Sequence, residues 1–236
     1  MTMKKTILAK AAAASLLLAA GAANAGFHVN VGAINVSPDE SSNSLNVVES
    51  VTGSPANSLY LGLDSDTQLG ITIDYDLTDN FVLELVAATP FSHEISIKSS
   101  GALNGLAVGE TKHLPPTLLA QYHFGTAENK FRPFVGAGIN YTIFFEEKAN
   151  GLDNALTGLN LIGANDELTL DLDSSVGLAL QAGANYKINE KWGIHAMAMW
   201  ADISAEGHVK LNGSNLQKVD VEVDPLVFMI GARYSF

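Results

Sequence analysis

The feature that most constrains this chain is a strict alternation of side-chain character. Val176, Leu178, Leu180, Ala182, Ala184 and Tyr186 share one parity; Gly177, Ala179, Gln181, Gly183 and Asn185 share the other. The stretches 69–75 and 135–141 read the same way. A period of two belongs to the β-strand, whose side chains face opposite sides in turn. A soluble sandwich buries its apolar face and solvates the other. Here the second face is Gly, Asn, Gln, Thr and Asp, with little bulk, which suits a narrow polar lumen inside a lipid-facing wall.

Eight segments carry the pattern: 27–36, 67–76, 81–91, 113–124, 133–145, 170–186, 192–203 and 221–236. Short connections (77–80, 125–132, 187–191) alternate with long polar ones (37–66, 92–112, 146–169, 204–220). That rhythm predicts an all-β fold: an eight-stranded antiparallel transmembrane β-barrel with short periplasmic turns and long extracellular loops. Tyr75, Phe81, Tyr122, Phe124, Tyr186, Trp192, Tyr234 and Phe236 lie beside short turns or the C-terminus, as a lower aromatic girdle requires. In the last segment Phe228, Ile230, Ala232, Tyr234 and Phe236 share one parity. An ending on Tyr234 and Phe236 resembles the signal read by barrel assembly machinery.

The N-terminus agrees. Lys4 and Lys5 precede the small apolar run 11–20 and then Ala23-Asn24-Ala25. These are the parts of a cleaved secretory signal peptide, expected over 1–25, with the barrel over 26–236. The expected location is the bacterial outer membrane, with lipid and lipopolysaccharide as surroundings. Lys+Arg is 13 against Asp+Glu 25, which argues against nucleic acid as a partner. The chain has no cysteine, so disulfides, thiol nucleophiles and Cys-ligated metals are excluded.

Thr78-Asp79-Asn80, Glu84-Leu85-Val86-Ala87-Ala88-Thr89-Pro90-Phe91, the run 113–122 with its Leu114-Pro115-Pro116, the run 131–142 with Gly136-Ala137-Gly138-Ile139-Asn140-Tyr141, and Asp224-Pro225 together resemble the OmpW family of outer-membrane proteins. The resemblance spans nearly all of 26–236. It implies an eight-stranded barrel with a narrow hydrophobic lumen, inward passage of small hydrophobic molecules and, in some members, a bacteriocin-receptor role. It also implies that two apolar lumen residues narrow the passage; by position these are Val86 and Met199.

Parity against the lipid face assigns the lumen. Near the short turns it places Asp74, Glu84, His123 and Arg233 inside. They form either an ion-pair plug or a proton-coupled cluster, since desolvated charges must pair. Higher up it places Val86, Ala88, Leu119, Phe144, Met197 and Met199. Gly32, Gly70, Gly136, Gly138, Gly177, Gly183 and Gly231 are expected to leave space inside. At the rim, Asp64, Asp66, Asp171 and Asp173 project toward the lumen by parity. Asp220, Glu222 and Asp224 share the lipid-facing parity. They are either a solvated face or carboxylates bridged to lipopolysaccharide phosphates through Ca²⁺ or Mg²⁺. Pro90, Pro115 and Pro116 remove ladder hydrogen bonds, giving either a bulge at the rim or a seam opening sideways into lipid.

No enzyme is expected. There is no G-x-S-x-G, no H-x-x-x-H, and Ser92 and His93 are strand neighbours on opposite faces. No cofactor or bound metal is expected of the barrel. Two functions remain: a channel for small hydrophobic molecules, or a non-transporting barrel acting as a surface anchor, receptor or stress-related interaction protein.

Overall fold

The computed structural model describes residues 26–236 apart from 150, 152, 155, 156, 158–161 and 164. The signal peptide expected over 1–25 lies outside the described residues. In chain order the elements are β1 (Phe27–Ser37), β2 (Ser41–Ser42), α1 (Asn46–Thr52), β3 (Tyr60–Leu63), β4 (Asp66–Asp76), β5 (Phe81–Ala88), β6 (Phe91–Lys98) and β7 (Ala107–Leu114). There follow β8 (Thr117–His123), β9 (Phe131–Lys148), β10 (Leu168–Leu172), β11 (Ser175–Lys187), β12 (Trp192–Ala201), β13 (Ser204–Leu211), β14 (Ser214–Glu222) and β15 (Leu226–Ser235).

Eight strands close into an antiparallel barrel in the order β11-β12-β15-β1-β4-β5-β8-β9, and β9 pairs back onto β11 from Phe131↔Tyr186 to Thr142↔Ser175. Closure leaves no barrel strand with an unpaired edge. The outward positions are the large apolar ones: Leu69, Ile71, Leu85, Leu118, Ile139, Val176, Leu178, Leu180, Phe228 and Ile230 are all exposed. At the short-turn end the aromatics pair edge to face. Ring centroids lie 5.3 Å apart for Phe81–Tyr122, 4.9 Å for Trp192–Tyr234 and 4.9 Å for Tyr234–Phe236. Such rings suit an interface that is apolar on one side and wet on the other.

Two segments expected as polar connections, 92–112 and 204–220, are instead hairpins, β6–β7 and β13–β14. They build two small sheets above the barrel, β3-β6-β7-β9 and β10-β13-β14-β2. The reason is that alternation continues through them. Phe91, His93, Ile95 and Ile97 are buried on β6, and Val219 and Val221 on β14, with polar residues between. The segment 81–91 is likewise two strands. Thr89-Pro90 breaks it, and the inward parity changes from Val82, Glu84 and Val86 to Phe91, His93 and Ile95. Pro115-Pro116 separates β7 from β8 in the same way.

The glycine row does not leave the lumen empty. A Cβ on Gly70 would lie 2.8 Å from Ile34 side-chain atoms, and one on Gly183 would lie 2.4 Å from the Phe134 ring. Large neighbours already fill what these glycines vacate. Gly183→Ala is therefore expected to destabilise the barrel by about 1–3 kcal/mol, the usual cost of overpacking. The check is the urea midpoint of the folded band on unboiled gels; an unchanged midpoint would contradict the packing described.

Candidate functional site

The interior divides by height into a polar floor and an apolar upper part. On the floor, Arg233 pairs with Asp74 and donates to Asn30 Oδ1 at 3.1 Å. The Asn30 amide donates to Asp74 and, at 2.6 Å, to Thr72. Glu84 accepts from Gln181 Nε2 at 2.7 Å, Gln181 accepts from Gln121 Nε2 at 2.7 Å, and Gln121 accepts from His123 Nε2 at 2.7 Å. His195 donates through Nδ1 to Asn185 (2.8 Å), and its Nε2 lies 3.8 Å from Glu84 Oε1. Phe134 is sandwiched between the His123 and His195 rings at 5.0 and 5.6 Å. Thus Asp74, Glu84, His123 and Arg233 come together, but as part of a larger closed network. Asn30, Thr72, Gln121, Phe134, Gln181 and Asn185 belong to it as well. Part of their signal lies in the sequence: each sits on the inward parity of its strand, and Asn30, Phe134 and Asn185 face Arg233, His123 and His195 in register.

Above the floor the lining turns mainly apolar, with Thr117, Asn140 and Thr142 bonded to one another along one side. Val86 and Met199 both face a small cavity of about 20 Å³, shared with Ile34, Val36, Ala88, Phe91, His113 and Val227. That volume holds about one water-sized group. Leu119 and Met197 are buried inside at floor and mid height. The same cavity reaches Ala87, an exposed residue on the outer parity of β5, and Pro115. There the β5–β8 ladder stops, at Val86↔Thr117. Higher still is a second cavity of about 230 Å³ between the two upper sheets. Its lining includes Leu45, Val48, Leu61, Leu63, Ile95, Val108, Leu170, Val221 and Val223. Phe144 belongs to this upper cavity and not to the lumen proper.

One wall of the upper cavity hangs on a residue that sequence reading passed over. Glu49, on α1, is buried and accepts from the Ser44 hydroxyl, from Asn57 N–H (3.0 Å), Ser58 N–H (2.8 Å) and Leu59 N–H (3.0 Å). The Ser44 hydroxyl and these amides hold its carboxyl down to about 2, against the opposing effect of burial. One carboxylate thus ties the chain from 44 to 59 into a single unit that carries Leu45 and Val48 to the cavity.

The rim acids do not form one lumen-facing group. Asp66 accepts from Ser92 N–H (2.9 Å) and Gln68 (2.8 Å), knitting β4 to β6. Asp64 accepts from Glu94 N–H at 2.7 Å and faces an outer groove with Glu94, Glu110 and Lys148. Asp171 and Asp173 point away from the cavity, because the chain breaks between β10 and β11 and the parity changes there: Leu170 and Leu172 line it instead. Asp171 pairs with Lys210; Asp173 lies near Glu206 and His208, where Lys218 already neutralises Glu206. Asp220 and Glu222 are exposed on β14, whereas Asp224 is tied to Ile203 N–H at 3.2 Å.

A closed eight-stranded barrel with an apolar belt, an aromatic girdle at the short-turn end and added sheets at the other is an outer-membrane barrel protein. The sequence pattern of the OmpW family matches residues 23–236. Outer membrane protein W of Vibrio cholerae is 43% identical over 99% of this chain and 100% of that protein. The crystal structure of OprG from Pseudomonas aeruginosa superposes with a TM-score of 0.75 at 36% identity, covering 90% of this chain and 96% of that one. A more distant relative, 25% identical over 73% of this chain and 74% of its own length, is the dibenzothiophene metabolism operon protein PahQ of Pseudomonas aeruginosa. The chain belongs to the OmpW family and is an outer-membrane protein.

Two outcomes follow from the site. Arg233→Leu leaves Asp74 buried without its cation and should destabilise the barrel by about 3–5 kcal/mol; the double variant Arg233→Leu with Asp74→Leu should recover most of that loss. Urea unfolding of both in lipid vesicles checks this. For Glu49, the folded-state value is depressed, so its contribution is complete above 4.5 and lost as the pH falls through about 2. Amide-exchange protection at Asn57, Ser58 and Leu59, corrected for intrinsic rate, should fall in that window, and Glu49→Gln should weaken it at neutral pH.

Proposed function

We propose that this protein carries small hydrophobic molecules inward across the outer membrane. The observation that carries this reading is the sequence of compartments: a wide apolar cavity of about 230 Å³, a neck of about 20 Å³, and a hydrogen-bonded polar floor beneath. An apolar solute entering from outside gains by leaving water, about 25 cal/mol per Å² of apolar surface removed. It gains nothing by continuing down through Asp74, Arg233, Glu84 and the glutamines. In this reading Val86 and Met199 form the neck, and the floor group is a structural plug.

The exit is sideways. The neck cavity reaches lipid-facing Ala87 where β5 and β8 cease to pair, between the breaks at Pro90 and Pro115. Parting the wall there costs few ladder bonds, and the solute passes from one apolar medium to another. The name of the PahQ relative, which places it with metabolism of a hydrophobic sulfur heterocycle, supports this class of solute. The partners in this reading are the hydrophobic solute, the surrounding lipid and lipopolysaccharide, and the barrel assembly machinery that would read Tyr234 and Phe236.

The test is the rate at which a medium-chain alkane reaches whole cells, with equal folded protein in the membrane. The native protein should accelerate uptake. Val86→Trp with Met199→Trp, filling the neck, should abolish the acceleration. Ala87→Trp should do so without touching the cavities' other walls. Acceleration that survives Ala87→Trp would refute the lateral exit; no acceleration with any apolar solute would refute the conduit.

A further inference from the structure

Polar atoms that the conduit reading does not use lie at the height between the two cavities: Thr111 lines the upper one, and His93 sits on β6 between Phe91 of the neck and Ile95 of the upper cavity. Phe91 and His113 line the neck cavity, while Thr111 and Phe144 line the upper one. Between them the rings cluster around His113, with Phe91 and His93 stacked on it and Phe144 tilted against it. Phe91 and His113 lie 5.4 Å apart, His113 and His93 lie 4.9 Å apart and nearly parallel, and His113 and Phe144 lie 5.8 Å apart. His93 and Thr111 are cross-strand partners on the inner face of β6 and β7, so their side chains stand within about 5 Å of one another at Cβ. Each residue is only 2% exposed.

Both carry an unmet hydrogen-bonding atom. His93 Nε2 and Thr111 Oγ1 are buried without a hydrogen-bond partner among the described residues. The chemistry of the pair is defined by the other side of the imidazole. His93 Nδ1 lies 2.6 Å from the Asp64 carbonyl oxygen. A carbonyl can only accept, so Nδ1 carries the proton, and in the neutral ring Nε2 is a bare acceptor. Thr111 supplies a hydroxyl that can donate. An orphaned acceptor and an orphaned donor on paired residues, one of them lining the upper cavity, complement one ligand group, the hydroxyl, which donates to His93 and accepts from Thr111. A ketone could use only Thr111, and an alkane neither. Buried polar atoms left unmet cost free energy, so a ligand that meets them is favoured over an otherwise equal one that does not.

We infer that His93 and Thr111 form a selectivity collar between the two cavities, which favours apolar molecules bearing one hydroxyl group, such as medium-chain alcohols or phenols, over pure hydrocarbons. This rests on the conduit reading and names its preferred solute class. Ser92 has no part in it, since Ser92 lies on the opposite face and bonds Glu110.

The experiment uses the full chain in lipid nanodiscs, titrated separately with 1-octanol, 2-octanone and octane. Two signals are followed by NMR: the His93 Nε2 nitrogen and the methyl groups of Leu61 and Val108 in the upper cavity. All three solutes should shift the methyls, and only the alcohol should shift His93 Nε2. Thr111→Val, of matched shape, should weaken octanol binding about two- to tenfold, the worth of one hydrogen bond, and leave octane unchanged. Thr111→Ser should restore the preference. Equal affinity for octanol and octane, or an alcohol preference that survives Thr111→Val, would overturn the collar while leaving the conduit standing. Failure of every solute to shift the methyls would overturn the conduit and the collar with it.

Discussion

Hydrocarbon offers no partner to a backbone N–H or C=O, and every feature of this protein is arranged around that. Each unpaired group inside the bilayer costs several kcal/mol, so a sheet that crosses it must close on itself. Closure is made by the ladder between β9 and β11, which returns the eighth pairing to the first. Once the wall is closed, side chains on the outer parity meet only lipid and become Leu, Ile, Val and Phe. Those on the inner parity meet one another across a space too narrow for bulk solvent.

That inner space is solved twice, by opposite means. Near the periplasm it is filled with groups that bond one another: the Asp74–Arg233 pair, the amide chain from His123 through Gln121 and Gln181 to Glu84, and the Phe134 ring held between two imidazoles, with Glu84 Oε1 and His195 Nε2 left facing each other at 3.8 Å. A buried charge pair of this kind adds little net stability over an apolar filling, yet removing one member is costly. In the proposed reading it serves as the plug at the lower end of the conduit. Toward the outside the same parity carries Ile34, Val36, Val86, Met199 and Val227, which offer water nothing to bond.

Much of this was legible in the sequence because the β period is rigid. The barrel strands, the girdle and the inward position of Asp74, Glu84, His123 and Arg233 all follow from counting by twos. What could not be counted were the places where counting restarts. Pro90 changes the parity between β5 and β6, and the break between β10 and β11 does so at Asp173; carboxylates placed inside by extrapolation therefore lie outside. Segments rich in Ser, Gly and Asn were read as connections, although Ile95, Ile97, Val219 and Val221 kept the strand rhythm through them. Glu49 was invisible for a different reason. Its partners are backbone amides eight to ten residues away, and no side-chain pattern announces them.

Among the described residues the two sheets above the membrane share no ladder with one another. What joins them across the cavity mouth is mostly side-chain chemistry: Lys98 to Glu40, Leu61 N–H to Ser42, Val47 N–H to Gln217, beside one backbone bond from Leu45 N–H to the Leu59 carbonyl. Backbone ladders resist shear and opening as a cooperative unit; isolated side-chain bonds yield one at a time. The two upper sheets are therefore joined to each other by far fewer bonds than hold each sheet together, above a ring whose strands are paired all round. In the proposed reading a bulkier guest is admitted by parting these two sheets, while the ring below keeps its diameter.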